Sequence, residues 1–110
     1  QNHRVSHRYD ALSAPMVRAL RTIVKAGRKH KVPVTLCGEL AGKPLEAMAL
    51  IGIGLRSLSM APASIGPVKS MILSLDARKA ASVIEDALAT GKEDIRAELK
   101  VFAEREGIEL

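Results

Sequence analysis

Apolar residues recur at spacings of three and four through most of the chain, and short continuous apolar runs interrupt that rhythm twice. Met16, Leu20, Ile23, Val24 and Gly27 share one helical face, which predicts a helix from about Ser13 to His30. Ser13 is its expected N-cap, with Pro15 in the first turn. Pro33–Cys37 is short, apolar and β-branched, as suits a strand buried on both faces. Pro44 then starts a second helix, Leu45 to about Ile51, with Glu46 in the first turn where the helix dipole favours an anion. Gly52 and Gly54 end it, and Leu55–Met60 reads as a second strand. The connection of 18 or so residues fits a right-handed βαβ crossover, with 33–37 and 56–60 as neighbouring parallel strands.

Three more helices follow. Ala61–Pro67 reads as a turn in which Ser64 caps a helix over Val68–Leu75. Asp76 caps the next, whose stripe is Ala80, Val83, Ile84, Ala87 and Leu88 and whose stop is Thr90-Gly91. The last, Glu93–Glu106, places Ile95, Leu99, Phe102 and Ala103 inward and ends at Gly107. No internal repeat or low-complexity linker is present.

Two parallel strands cannot close a sheet, and a (β/α)8 barrel built from this unit takes about 250 residues. An open strand pair also leaves two unprotected edges. The chain, 110 residues long and beginning at Gln1, therefore reads as the C-terminal portion of such a barrel, with no complete domain boundary inside 1–110. A self-contained small βαβ domain is the alternative.

Composition narrows the picture. Only Tyr9 and Phe102 are aromatic, so the core must be built from Ala, Leu, Ile, Val and Met. One cysteine cannot form an intrachain disulfide, which makes a reducing, cytoplasmic setting the default. No apolar run approaches the roughly 20 residues of a membrane span. Charge is uneven: residues 1–31 carry eight Lys or Arg against Asp10 alone, whereas residues 76–110 carry six against nine. A basic helix over 14–31 could serve an acidic partner. It could equally be a solvated face, and neither a nucleic-acid nor a membrane partner is expected.

Several motifs are weak. Gly38-Glu39-Leu40-Ala41-Gly42-Lys43-Pro44 fails as a phosphate-binding P-loop, because three residues separate the glycines and Pro44 replaces the Mg²⁺-binding Ser or Thr. Gly52-Ile53-Gly54 follows a helix, so it is a helix stop rather than a dinucleotide fingerprint. His3 and His7 have the i, i+4 spacing of a metal pair but lack a third ligand, so no metal site is expected in the chain.

Cys37 carries the candidate chemistry. It lies between a strand and the following helix, where α/β folds place reactive groups. A free cysteine is often simply a small buried core residue. As a nucleophile it would need a nearby His or cation to form the thiolate. None is close in sequence, and Glu39 would hold the proton on. An unperturbed thiol is mostly protonated at neutral pH, the right form for donating a proton. Chemistry therefore favours an acid over a nucleophile, with the core reading left open.

Three runs carry a resemblance: Val34-Thr35-Leu36-Cys37-Gly38-Glu39-Leu40-Ala41-Gly42, Leu50-Ile51-Gly52-Ile53-Gly54-Leu55, and Leu58-Ser59-Met60-Ala61-Pro62-Ala63-Ser64-Ile65. Together they resemble the C-terminal end of the phosphoenolpyruvate–protein phosphotransferases, the enzyme I proteins, most of all their nitrogen-related paralogues. The Cys-Gly-Glu element is also similar to that of pyruvate phosphate dikinase and phosphoenolpyruvate synthase. Lys43 stands where enzyme I proteins more often carry an acid.

The resemblance implies a (β/α)8 barrel that binds phosphoenolpyruvate and Mg²⁺ at the C-terminal ends of its strands and dimerises. It implies phosphoryl transfer to a histidine on a separate domain and onward to an HPr-like phosphocarrier protein. It makes Cys37 the donor that protonates the enolate to pyruvate, with Gly38 and Glu39 as motif neighbours shaping the substrate loop. The family's Mg²⁺ ligands, phosphate-binding arginines and phosphoacceptor histidine match nothing in this chain. The chain alone is therefore expected to be inactive, and His3, His7 and His30 are not assigned the acceptor role.

Overall fold

The computed structural model describes residues 10–110, so His3 and His7 lie outside the described residues. Among the described residues, five helices and two short strands follow in order: α1 (Ala14–Lys29), β1 (Leu36–Cys37), α2 (Pro44–Gly52), β2 (Leu58–Ser59), α3 (Pro62–Ser74), α4 (Ala77–Ala89) and α5 (Ile95–Glu106). β1 and β2 pair in parallel, Leu36 opposite Leu58 and Cys37 opposite Ser59. The α/β class and the βαβ pairing agree with the sequence reading.

The strands are two residues each rather than five or six, and they are not buried on both faces. Leu36 and Leu58 are half-buried against the helices, while Thr35, Cys37, Ser57 and Ser59 are exposed on the other face. Period-two alternation of small polar and apolar residues, taken in sequence for a continuous apolar run, explains this one-sided burial. Across the open face the Thr35 hydroxyl donates to Ser57 Oγ at 2.9 Å.

α2 is the hub. Every residue from Leu45 to Leu50 is buried, and the helix packs against α3, α4 and α5. Met48, Met71, Ile84, Ile95, Leu99 and Phe102 fill the space between them, each at most 2% exposed. The inward sets expected for α4 and α5 hold, with Val83 half-buried.

Three helix readings shift. The buried face of α1 is Ala14, Val17, Val24 and Gly27, whereas Met16 is 36% and Ile23 55% exposed. Val24 and Gly27 belong to both stripes and Leu20 is half-buried beside them, so the face is rotated rather than wrong. Ser13 occupies the N-cap position but its side chain caps nothing; its backbone instead bridges to Asp94. α3 starts at Pro62, not after Ser64, and runs through Gly66 and Pro67. Pro62 at the helix start needs no N–H donor, and Pro67 gives up one intrahelical bond without ending the helix. α5 starts at Ile95 rather than Glu93, because Asp94 caps it, accepting from the Ala97 N–H at 3.0 Å. Asp76 caps α4 as expected, and Gly107 ends α5 in the left-handed conformation. No helix among the described residues is long and apolar enough to cross a membrane.

Candidate active site

Cys37 is the last residue of β1 and is exposed, which removes the reading of it as a small core residue. Its position follows from the strand pair. The Leu36 N–H donates to Ser57 O at 3.3 Å and the Gly38 N–H to Ser59 O at 3.2 Å, so Cys37 is held between two rungs. Gly38 then turns the chain with φ of +103°, a conformation that costs a residue with a Cβ.

The loop beyond is built from two successive tight turns. The Gly42 N–H donates to Glu39 O at 3.1 Å and the Lys43 N–H to Leu40 O at 3.4 Å. Gly42 is needed for space: a Cβ there would stand 2.8 Å from Ser64 Oγ. The loop after Cys37 therefore lies against the first turn of α3. Glu39 is exposed, and Gly38 and Glu39 flank the thiol without bonding to it.

The C-terminal ends of both strands and the N-termini of α2 and α3 share this end of the molecule. The N-cap residues of those helices, Lys43 and Ala61, accept no hydrogen bond from them with a side chain. Unpaired N–H groups at helix N-termini favour an anion. The Cys37 thiol is free and makes no hydrogen bond among the described residues. His30 caps the C-terminus of α1, where the chain heads toward the start of β1, the opposite end from Cys37. No group of three or more His, Cys, Asp and Glu among the described residues could hold a metal ion.

The basic helix spends part of its charge internally. Arg18 donates to Leu88 O, Arg28 to Gly54 O, and Arg21 pairs with Glu85. One polar cluster escaped the sequence reading. Arg96 hydrogen-bonds both Asp10 and Glu46, and Glu46 is the one charged residue buried in the core among the described residues, 6% exposed. The Arg96 hydrogen bonds, against the opposing effect of burial, hold the Asp10 carboxyl down at about 2. The same pairing raises the Arg96 guanidinium above its already high value. Glu46 does sit in the first turn of α2, as expected. A lone acid inside the apolar run Leu45–Ile53 was the available signal that it had a partner.

Residues 1–77 match the model of the PEP-utilising enzyme, PEP-binding domain family. A protein of Salmonella typhimurium named phosphoenolpyruvate-dependent phosphotransferase system is 37% identical over 108 residues, covering 97% of this chain. Its namesake from Escherichia coli is 36% identical with the same coverage. The phosphoenolpyruvate-protein phosphotransferase of Bacillus subtilis is 33% identical over 80% of the chain. The chain spans 14% of the length of the first two relatives and 15% of the third. Family match and relatives together identify the chain as a member of the PEP-utilising enzymes, matched over its first 77 residues to their PEP-binding domain.

Proposed function

We propose that this chain is the C-terminal part of a phosphoenolpyruvate-binding barrel in a phosphoenolpyruvate–protein phosphotransferase, and that Cys37 is the acid that completes pyruvate. The observation that carries the reading is a free, exposed thiol at the C-terminal end of β1. The relatives' names supply the reaction.

The chemistry balances simply. Phosphoryl transfer to a histidine outside this chain leaves the enolate of pyruvate. Its π electrons take the proton from Cys37 Sγ at the methylene carbon, forming a C–H bond as C–O⁻ becomes C=O. The thiolate left behind is reprotonated by solvent. The helix dipoles at the starts of α2 and α3 suit an anionic substrate at the same end. Mg²⁺, which the family resemblance implies, finds no donor set among the described residues, so no step runs through it here. Groups that neutralise and orient phosphate dominate phosphoryl transfer; with those groups elsewhere, the chain alone is inactive. The HPr-like carrier and a homo-oligomeric state belong to the intact enzyme.

Cys37→Ala in the intact enzyme tests this. Phosphoenolpyruvate turnover is expected to fall by 10² or so, within the usual range for a lost general acid. Phosphoryl exchange between the phosphorylated enzyme and its carrier, which involves no enolate, is expected to survive. Equal loss of both activities would refute the assignment.

A further inference from the structure

Among the described residues, the charged group with the most side-chain ion-pair bonds lies on α5, away from the strand that carries Cys37. Arg96, in the first turn of α5, donates through Nε to Asp10 Oδ2 at 3.0 Å and through Nη2 to Asp10 Oδ1 at 2.8 Å. The same Nη2 donates to Glu46 Oε2 at 3.1 Å. One guanidinium thus serves two carboxylates, 86 and 50 positions away in sequence. Lys100, also on α5, adds a further positive charge near Asp10.

The origins of the partners give the cluster its meaning. Asp10 lies in the segment that leads into α1, and Glu46 lies in the first turn of α2, directly after the loop that follows Cys37. Ala11, Leu12, Leu40 and Glu46 line one small cavity, so residues 10–12 face the loop three positions beyond the thiol. The same segment is tied to the start of α5 by backbone bonds, Ala14 N–H to Glu93 O at 2.9 Å and Ile95 N–H to Leu12 O at 3.1 Å.

We propose that Arg96 is a positioning residue: by gripping Asp10 and Glu46 together it locks residues 10–13 and 38–43 into one register, and so sets where the Cys37 thiol stands. The proposal rests on Cys37 being the proton donor. An exposed ion pair would contribute little, but Glu46 is buried, and a buried carboxylate stripped of its partner is strongly unfavourable. It would seek water and carry the first turn of α2 with it. A displacement of about 1 Å is enough to lower a rate by up to roughly 10²-fold. Lysine cannot substitute, because a single ammonium lacks the guanidinium fork.

Three variants of the intact enzyme test this, each read for melting temperature, phosphoenolpyruvate turnover and carrier exchange. Asp10→Asn removes the outer, 39% exposed end of the grip without stranding a buried charge. It is expected to fold normally and to lower kcat for phosphoenolpyruvate several-fold, with KM and carrier exchange unchanged. Arg96→Gln is expected to lower both the melting temperature and kcat, by about tenfold for the latter. Adding Glu46→Gln to it should restore the melting temperature but not kcat. Recovery of kcat together with stability in the double variant would reduce Arg96 to a purely structural role, as would full kcat in Asp10→Asn. Wild-type turnover in a parallel Cys37→Ala enzyme would instead overturn the donor reading, whatever the Arg96 variants do.

Discussion

At Cys37 the strand pair leaves a thiol facing water, an unusual setting for a residue type that is commonly buried. Its place at the strand end was legible in the sequence, because an apolar run, a glycine loop and a proline-started helix follow one another within a dozen positions. Its exposure was not, since Thr35, Cys37, Ser57 and Ser59 declare a second face only once the two strands are aligned. The Asp10–Arg96–Glu46 cluster showed in the sequence only as a lone acid in an apolar run, and its partners were illegible for another reason. Contacts across 50 and 86 positions leave no periodic trace. That cluster has a pH signature. Asp10 has its carboxyl lowered from 3.8 to about 2, mainly by Arg96. A group depressed in the folded state stabilises above its unfolded value, and that contribution disappears as pH falls through the folded value. Stability of the wild-type chain is therefore expected to fall between about pH 4 and pH 2 more steeply than that of Asp10→Asn, as chemical denaturation across that range would show. Parallel curves for the two proteins would mean that the pairing is absent in solution.

Among the elements, α2, α4 and α5 were the most legible: α4 starts at an aspartate cap, and α4 and α5 each present an apolar stripe. The strands were overestimated because β-branched, apolar composition reports what could pair, whereas pairing needs a neighbour. α3 begins six residues ahead of the Val68 start that the sequence predicts, because Gly66-Pro67 resembles a stop yet is accommodated inside the helix. α1 meets the segment before β1 at Gly27, where a Cβ would overlap Val34 Cγ2 and stand 3.0 Å from Val32 O. Gly27→Ala would improve helix propensity by about 1 kcal/mol. Overpacking of this kind costs about 1–3 kcal/mol, so a net loss is expected as a lower urea midpoint. A higher midpoint would show that α1 does not pack on the strand approach so closely.

For the whole molecule, α2 gathers α3, α4 and α5 on one side and leaves the other side of the strand pair open. Ile65, Ile72 and Leu73 on α3 are 52%, 44% and 79% exposed, and Leu58, Met60, Ile65, Val68 and Ile72 line an open groove of about 460 Å³. Apolar surface of that kind favours association, so the 110-residue chain is expected to sediment as a dimer or larger at high micromolar concentration. A compact monomer there would mean that the open face is tolerated in water. The central claim, that Cys37 delivers the proton in the intact enzyme, has a more direct test in the stereochemistry of the product. A thiol fixed at one strand end reaches only one face of a bound enolate. Phosphoenolpyruvate deuterated at one methylene position and turned over in tritiated water should therefore yield a chiral methyl group of one configuration with wild-type enzyme. The residual turnover of Cys37→Ala, its enolate protonated by solvent, should yield a racemic one. A single configuration from both enzymes would contradict the account.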